Sequence, residues 1–230
     1  MDHWALAAVI AVLCGLAGLG VPALVRRIPE PPEPDEDKQT YAAIAGLPGL
    51  AWKAALASGL VGALVGLALG WAWPLVYLVP LVPVGVALAV VDWRTRLLPT
   101  KVIAPSYLLV IVGVLVCLAA TRDVDDLARA GWGWLIAGGL FWSMWRLFPR
   151  GMGYGDVRLS GVLGIALGQL GWGPLLVGVY SGFLLGGVVG GMLSVLRVVD
   201  RKGYPFGPFM LVGAVVGLLW GDAILTGLVA

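Results

Sequence analysis

Apolar residues run through this chain in blocks of roughly twenty, separated by short stretches where charge, proline or glycine collects. Crossing a hydrocarbon core of roughly 30 Å takes about 20 such residues as α-helix. On that template the pattern predicts spanning helices over 5–25, 54–72, 74–91, 102–121, 129–148, 157–171, 173–196 and 208–229. The division least marked by polar residues lies inside the long apolar run 157–196, where QLGWGP at 169–174 is the punctuation. The first block lacks the basic lead-in of a signal peptide, and its charges, Arg26 and Arg27, follow it. An all-α, polytopic transmembrane bundle of about eight spans is expected, with its N-terminus outside.

Charge placement supports that orientation. Alternation from an outer N-terminus puts 26–53, 92–101, 146–158 and 197–207 in the cytoplasm, and these carry thirteen of the fifteen Lys and Arg residues. Only Arg122 and Arg129 fall outside. With 60% hydrophobic and 12% charged residues and a mean hydropathy of +0.96, the composition is that of an integral membrane protein. The lipid bilayer is the expected surrounding, and no nucleic-acid partner is expected.

Three regions are expected along the chain. Residues 1–27 form the first span and its flank, 28–53 a short acidic, Pro-rich cytoplasmic linker, and 54–230 the helical membrane domain. IPEPPEPDEDKQT at 28–40 is too polar to fold alone and reads as flexible. Its acids, Glu30, Glu33, Asp35, Glu36 and Asp37, are either simply solvated or an attraction for a basic peptide. Glycines four apart, Gly62, Gly66 and Gly70, then Gly186 and Gly190 with Gly187 and Gly191, then Gly213, Gly217 and Gly221, are expected at close helix crossings. Trp71, Trp73, Trp93, Trp132 and Trp172 fall at span ends, as an aromatic belt requires.

Two acids need a different account. Of thirteen acidic residues, most fall in the linker or in polar loops, whereas Asp92 and Asp156 sit at cytoplasmic ends of apolar spans. Asp92 ends its span, where the helix dipole disfavours negative charge; Asp156 begins one, where the dipole favours it. That asymmetry suits an acid/base pair, with Asp156 the expected ionised member. Gly153 and Gly155 are read as allowing positive φ and removing side chains beside the carboxylate. The alternatives are a capped turn at Asp156 and a solvated Asp92 pairing with Arg94 or Arg96.

Other chemistries lack their parts. The single histidine, His3, lies on the predicted outer side, so a Ser/His dyad, a His-based zinc site and a His relay are excluded. Cys14 and Cys117 lie in separate apolar runs and read as buried small hydrophobes. No metal site and no cofactor are expected.

Three segments together resemble the type IV prepilin peptidases, membrane aspartyl proteases of the G-x-G-D class. DWRTRLLPT carries Asp92, Arg94 and Pro99 in the spacing D-x-R-x-x-x-x-P; GYGDVRL carries Gly153, Gly155 and Asp156, with Arg158 in place of the usual lysine. YPFGPFMLVGA carries Pro205, Phe206, Gly207 and Pro208 of a P-F-G-P-F segment. The likeness spans about 54–230 and implies that Asp92 and Asp156 are catalytic. It further implies that the substrate is a prepilin-like precursor, cut at the cytoplasmic face between a basic leader and an apolar helix. Arg158 and Arg94 are expected near the substrate, with a topological anchor as the other role open to Arg158. Pro99, Pro205, Phe206, Gly207 and Pro208 are expected to shape the site.

The resemblance departs from the larger family members between the first two spans, where those carry paired C-x-x-C motifs tied to N-methylation. This interval holds no cysteine here, so peptidase activity without methyl transfer is expected, similar to the small members serving Tad-type pili and to archaeal preflagellin peptidases. A non-enzymatic assembly factor, or a small ion- or proton-coupled carrier using the same acids, is the competing reading.

Overall fold

A computed structural model describes residues 3–30, 38–149, 152–190, 192, 196 and 205–229. Helices build it, and no strand occurs among the described residues. In chain order they are α1 (His3–Gly18), α2 (Val21–Arg26), α3 (Tyr41–Ala45), α4 (Leu50–Leu69), α5 (Leu75–Thr95) and α6 (Thr100–Thr121). There follow α7 (Val124–Gly133), a π turn (Trp134–Gly138) and α8 (Gly139–Leu147), then α9 (Tyr154–Leu170), α10 (Trp172–Leu185), a second π turn (Gly186–Gly190) and α11 (Gly207–Val229). Five of the described runs are long and apolar enough to cross a membrane: His3–Arg26, α4, α5, α6 and Gly207–Leu228. Trp172–Val188 is a shorter apolar helix.

The surface is as apolar as the sequence. Leu13, Leu16, Leu56, Leu60, Leu108 and Leu115 all point outward, which suits a chain whose solvent is hydrocarbon. Trp71, Trp73, Trp93, Trp132 and Trp172 are likewise exposed. Cys14 and Cys117 are buried and free, on different helices.

Small residues set the closest crossings. A β-carbon on Gly213, Gly217 or Gly221 would stand 2.4, 2.3 or 2.4 Å from the backbone of α10, so α10 and α11 touch main chain to main chain. Gly62 and Gly66 do the same for α4 against Cys14 and Ala7 of α1. Gly70 departs from the expectation: it closes α4 with φ 59° and lies against His3 instead of continuing the stripe. The run at 186–190 differs too. Gly186 makes room for the Phe206 ring, Gly187 meets nothing within 4 Å, and Gly191 lies outside the described residues.

Within the expected 28–53 linker, the residues that follow the stretch read as flexible form the short helix α3. Thr40 caps α3 by accepting from the Ala43 amide at 3.2 Å, and Glu30 accepts from the Ala42 amide at 3.0 Å. Tyr41 and Ile44 are buried together with Val21, Val25 and Ile28. That burial pushes the Tyr41 phenol up, and the Glu30 carboxylate adds to the shift. The apolar face formed by Tyr41 and Ile44 is what the count of prolines and acids conceals. Glu33, Asp35, Glu36 and Asp37 lie outside the described residues.

Candidate active site

Asp92 occupies the last turn of α5 and Asp156 the first turn of α9; both side chains are buried. Their helices bring them to the same end of the bundle, where Leu98 lies against both Gly155, next to Asp156, and Gly207, which bonds Asp92. Two carboxyl groups from distant stretches of chain therefore share one enclosed neighbourhood.

Each is held by one main-chain amide. Gly153 is the N-cap of α9 at φ −74°, ψ 143°, and its N–H donates to Asp156 Oδ2 at 3.2 Å, while the Asp156 N–H donates to the Gly153 carbonyl at 3.1 Å. Asp92 Oδ2 accepts from the Gly207 N–H at 2.9 Å. Gly207 is the first residue of α11, so this N–H has no partner within its own helix and brings the positive end of that helix to Asp92. The dipole contrast expected from α5 and α9 alone is thereby offset at Asp92. The carbonyl oxygen of Asp92 is also engaged, accepting from the Arg96 N–H at 2.7 Å where Arg96, at φ 55°, closes α5.

Neither Gly153 nor Gly155 uses positive φ, and only Gly155 is required for a close approach. Gly153 is extended and Gly155 is helical; positive φ among described glycines occurs at Gly49, Gly70 and Gly171. A β-carbon on Gly155 would stand 2.7 Å from Leu98 Cβ, and one on Gly207 would stand 2.8 Å from Asp92 Oδ2 and 3.4 Å from Leu98 Cδ1. Leu98, in the turn that follows Asp92, thus packs against the starts of both α9 and α11. The turn that presents it is tied by Thr95, whose hydroxyl donates to the Val91 carbonyl at 2.8 Å and accepts from the Leu97 N–H at 3.2 Å. Pro99 then starts α6 from an extended conformation, as a residue without an N–H can.

The segment before α11 is anchored by aromatic packing. Phe206 sits 5.9 Å from Phe141 and 5.6 Å from Phe183, centroid to centroid. Pro205 is buried beside it, and Pro208 occupies the first turn of α11, where its missing N–H costs nothing. Pro208 and Ala89 also border an apolar cavity of about 230 Å³ among α4, α5, α9 and α11, which leaves free space beside the Asp92 end.

The two arginines behave differently from the aspartates. Arg158 donates to the Thr100 hydroxyl and stacks over the Tyr154 ring at 4.6 Å, so its guanidinium ties α9 to α6 and to its own first turn. Arg94 is exposed, two residues beyond buried Asp92. The alternative of a solvated Asp92 is not what the fold adopts. Leu98, Thr95, Thr100, Phe141 and Phe183 escaped the sequence reading, since an apolar or small residue in an apolar protein carries no signal of its own; only the proximity of Thr95 and Leu98 to Asp92 marks them.

The signature of the type IV leader peptidase family matches residues 79–193, which include both aspartates. The chain belongs to that family. It is 31% identical over 176 residues to a prepilin leader peptidase/N-methyltransferase of Stutzerimonas stutzeri, covering 74% of this chain and 58% of that protein. The same identity relates it over 172 residues to the enzyme of that name from Pseudomonas aeruginosa, with coverage of 74% and 58%. The Bacillus subtilis protein of that name is 28% identical over 178 residues, covering 75% of this chain and 67% of its own length. The chain thus spans somewhat over half the length of the first two relatives. No solved structure matches it.

Proposed function

We propose that this chain is an aspartyl endopeptidase that removes the leader from prepilin-like precursors, with Asp92 and Asp156 as its catalytic pair. The carrying observation is that the two acids, both buried, lie at one end of the bundle around a shared neighbour, since Leu98 packs against Gly155 beside Asp156 and against Gly207, whose amide holds Asp92. Two carboxyl groups so placed favour sharing one proton.

The ionised member takes a proton from water as the water oxygen bonds to the scissile carbonyl carbon, and the protonated member hydrogen-bonds the carbonyl oxygen as charge builds there. Collapse of the tetrahedral species breaks the C–N bond and passes a proton to the leaving amine. The Gly207 and Gly153 amides each occupy one Oδ2, which leaves the other oxygen of each carboxyl for this work.

In this reading the protein is a multi-pass protein of the cytoplasmic membrane with eight spans and its N-terminus outside. The carboxylates lie at the cytoplasmic face, where a precursor's basic leader leaves the bilayer. The cavity bordered by Ala89 and Pro208 gives apolar side chains of the precursor space next to the cut. No methyl transfer is assigned, because this chain has two cysteines, Cys14 and Cys117, each buried in a different helix.

Asp92→Asn and Asp156→Asn, purified in detergent or nanodiscs with a precursor peptide, are expected to lose cleavage while retaining the wild-type melting profile. Cleavage that survives both substitutions overturns the assignment. Methylation of a cleaved product by S-adenosylmethionine would overturn the single-activity reading alone.

A further inference from the structure

The helices that carry the two aspartates are joined again at the opposite end of the bundle, by a polar contact with no part in the chemistry above. Tyr77, near the start of α5, is fully buried, and its hydroxyl donates to Gln169 Oε1 of α9 at 2.6 Å. The same hydroxyl lies 3.0 Å from the Ala166 carbonyl. Gln169 is itself buried, with the Cys117 thiol of α6 against its amide. The ring has room because α6 presents Gly113, where a β-carbon would stand 2.5 Å from Tyr77 Cβ.

A phenol and a carboxamide in an apolar interior are unfavourable unless they satisfy one another. Van der Waals packing would be served by Phe and Met, so the hydrogen bond supplies what packing does not: a fixed register between α5 and α9. From this contact to the carboxylates the two arms are nearly equal, about 22 Å along α5 and about 20 Å along α9 at the α-helical rise. Pro80 and Pro83 lie inside α5 between Tyr77 and Asp92. Each proline removes one rung of the helix ladder, so α5 bends there most readily.

Each carboxylate is retained by an amide of a different segment, Gly207 for one and Gly153 for the other. Placing both on one peptide bond therefore depends on how the ends of α5 and α9 approach. We propose that Tyr77 and Gln169 are positioning residues: a hydrogen-bonded pivot, remote from the reacting atoms, that fixes the register of α5 against α9 and with it the placement of Asp92 relative to Asp156. This rests on the peptidase reading for its kinetic consequence, though not for its geometric one.

The test measures both. Tyr77→Phe and Gln169→Met are expected each to lower kcat at least tenfold with KM within twofold of wild type. The double variant should be no slower than the slower single, since both remove one contact. Gln169→Glu, which keeps an oxygen at the same reach, is expected to restore kcat to within threefold. Spin labels on Trp93→Cys and Tyr154→Cys, both exposed positions at the carboxylate end, should give a narrow distance distribution in the parent and in Gln169→Glu, and a broadened one with Tyr77→Phe or Gln169→Met. Unchanged kcat, an unchanged distribution, failure of Gln169→Glu to restore either, or loss of folded protein in both variants overturns the pivot. A parent that cleaves no precursor removes the peptidase reading, and the label distances still decide the pivot.

Discussion

The amide of Gly207 donates to the carboxylate of Asp92 across 115 positions of chain, at 2.9 Å. That bond ties the P-F-G-P-F segment to the first aspartate and gives the segment a role beyond shaping a helix entry. A methyl group on residue 207 would stand 2.8 Å from the oxygen it serves. Gly207→Ala is therefore expected to displace Asp92 and lower kcat by roughly 10²-fold, the size of effect that an ångström of misplacement brings. KM should change little, and steady-state kinetics on a precursor peptide would check the division.

Gly155 is the matching requirement on the other side. Its Cα hydrogen faces Leu98 in a gap with no space for a β-carbon. Gly155→Ala should push the start of α9 off the 96–99 turn and cost about 1–3 kcal/mol, as overpacking does. Gly155→Ala combined with Leu98→Ala should recover part of that loss. Thermal melts of the two single variants and the pair give the coupling directly.

Among the described residues Arg158 pairs with Thr100 and Tyr154 and with no aspartate. Arg158→Ala should then reduce stability by about 0.5–1 kcal/mol, the worth of an exposed cation–π contact, and leave cleavage within tenfold. A loss as deep as that of Asp156→Asn would place the guanidinium on the substrate instead.

At the α10–α11 crossing a β-carbon on Gly217 would stand 2.3 Å from the Pro174 carbonyl oxygen. Gly217→Leu should part the two helices, with a fall in melting temperature larger than for Gly227→Leu, where nothing lies within 4 Å. Comparing the two melts separates the crossing from a general intolerance of bulk in α11.

The helical bundle was legible because hydrophobic block length is a local property, and lipid makes it a strong one. The aspartates stood out for the same reason, as acids at the edge of apolar blocks. What pattern alone does not carry is contact between distant stretches. The dipole argument at Asp92 considered α5 and omitted α11, whose first amide arrives from the far end of the chain. Gly155 resembled a turn residue, yet its use is closeness, which depends on Leu98 being opposite. Gln169 read as the start of the punctuation at the end of a span, and it does lie in the last turn of α9, but facing Tyr77. Its signal was present as a carboxamide in an otherwise apolar block, but a partner 92 positions away gave that signal no local meaning.

Asp92 ends one helix through its carbonyl, which receives the Arg96 amide, and receives the first amide of another through its carboxylate. On the peptidase reading one residue is thus both a working group and a joint of the scaffold. Truncation to alanine would remove the reactive acid and loosen the start of α11 in the same stroke, so an inactive alanine variant would implicate the position without telling chemistry from architecture. Asparagine keeps the acceptor oxygen, and that isosteric exchange is the one that reports on the acid itself.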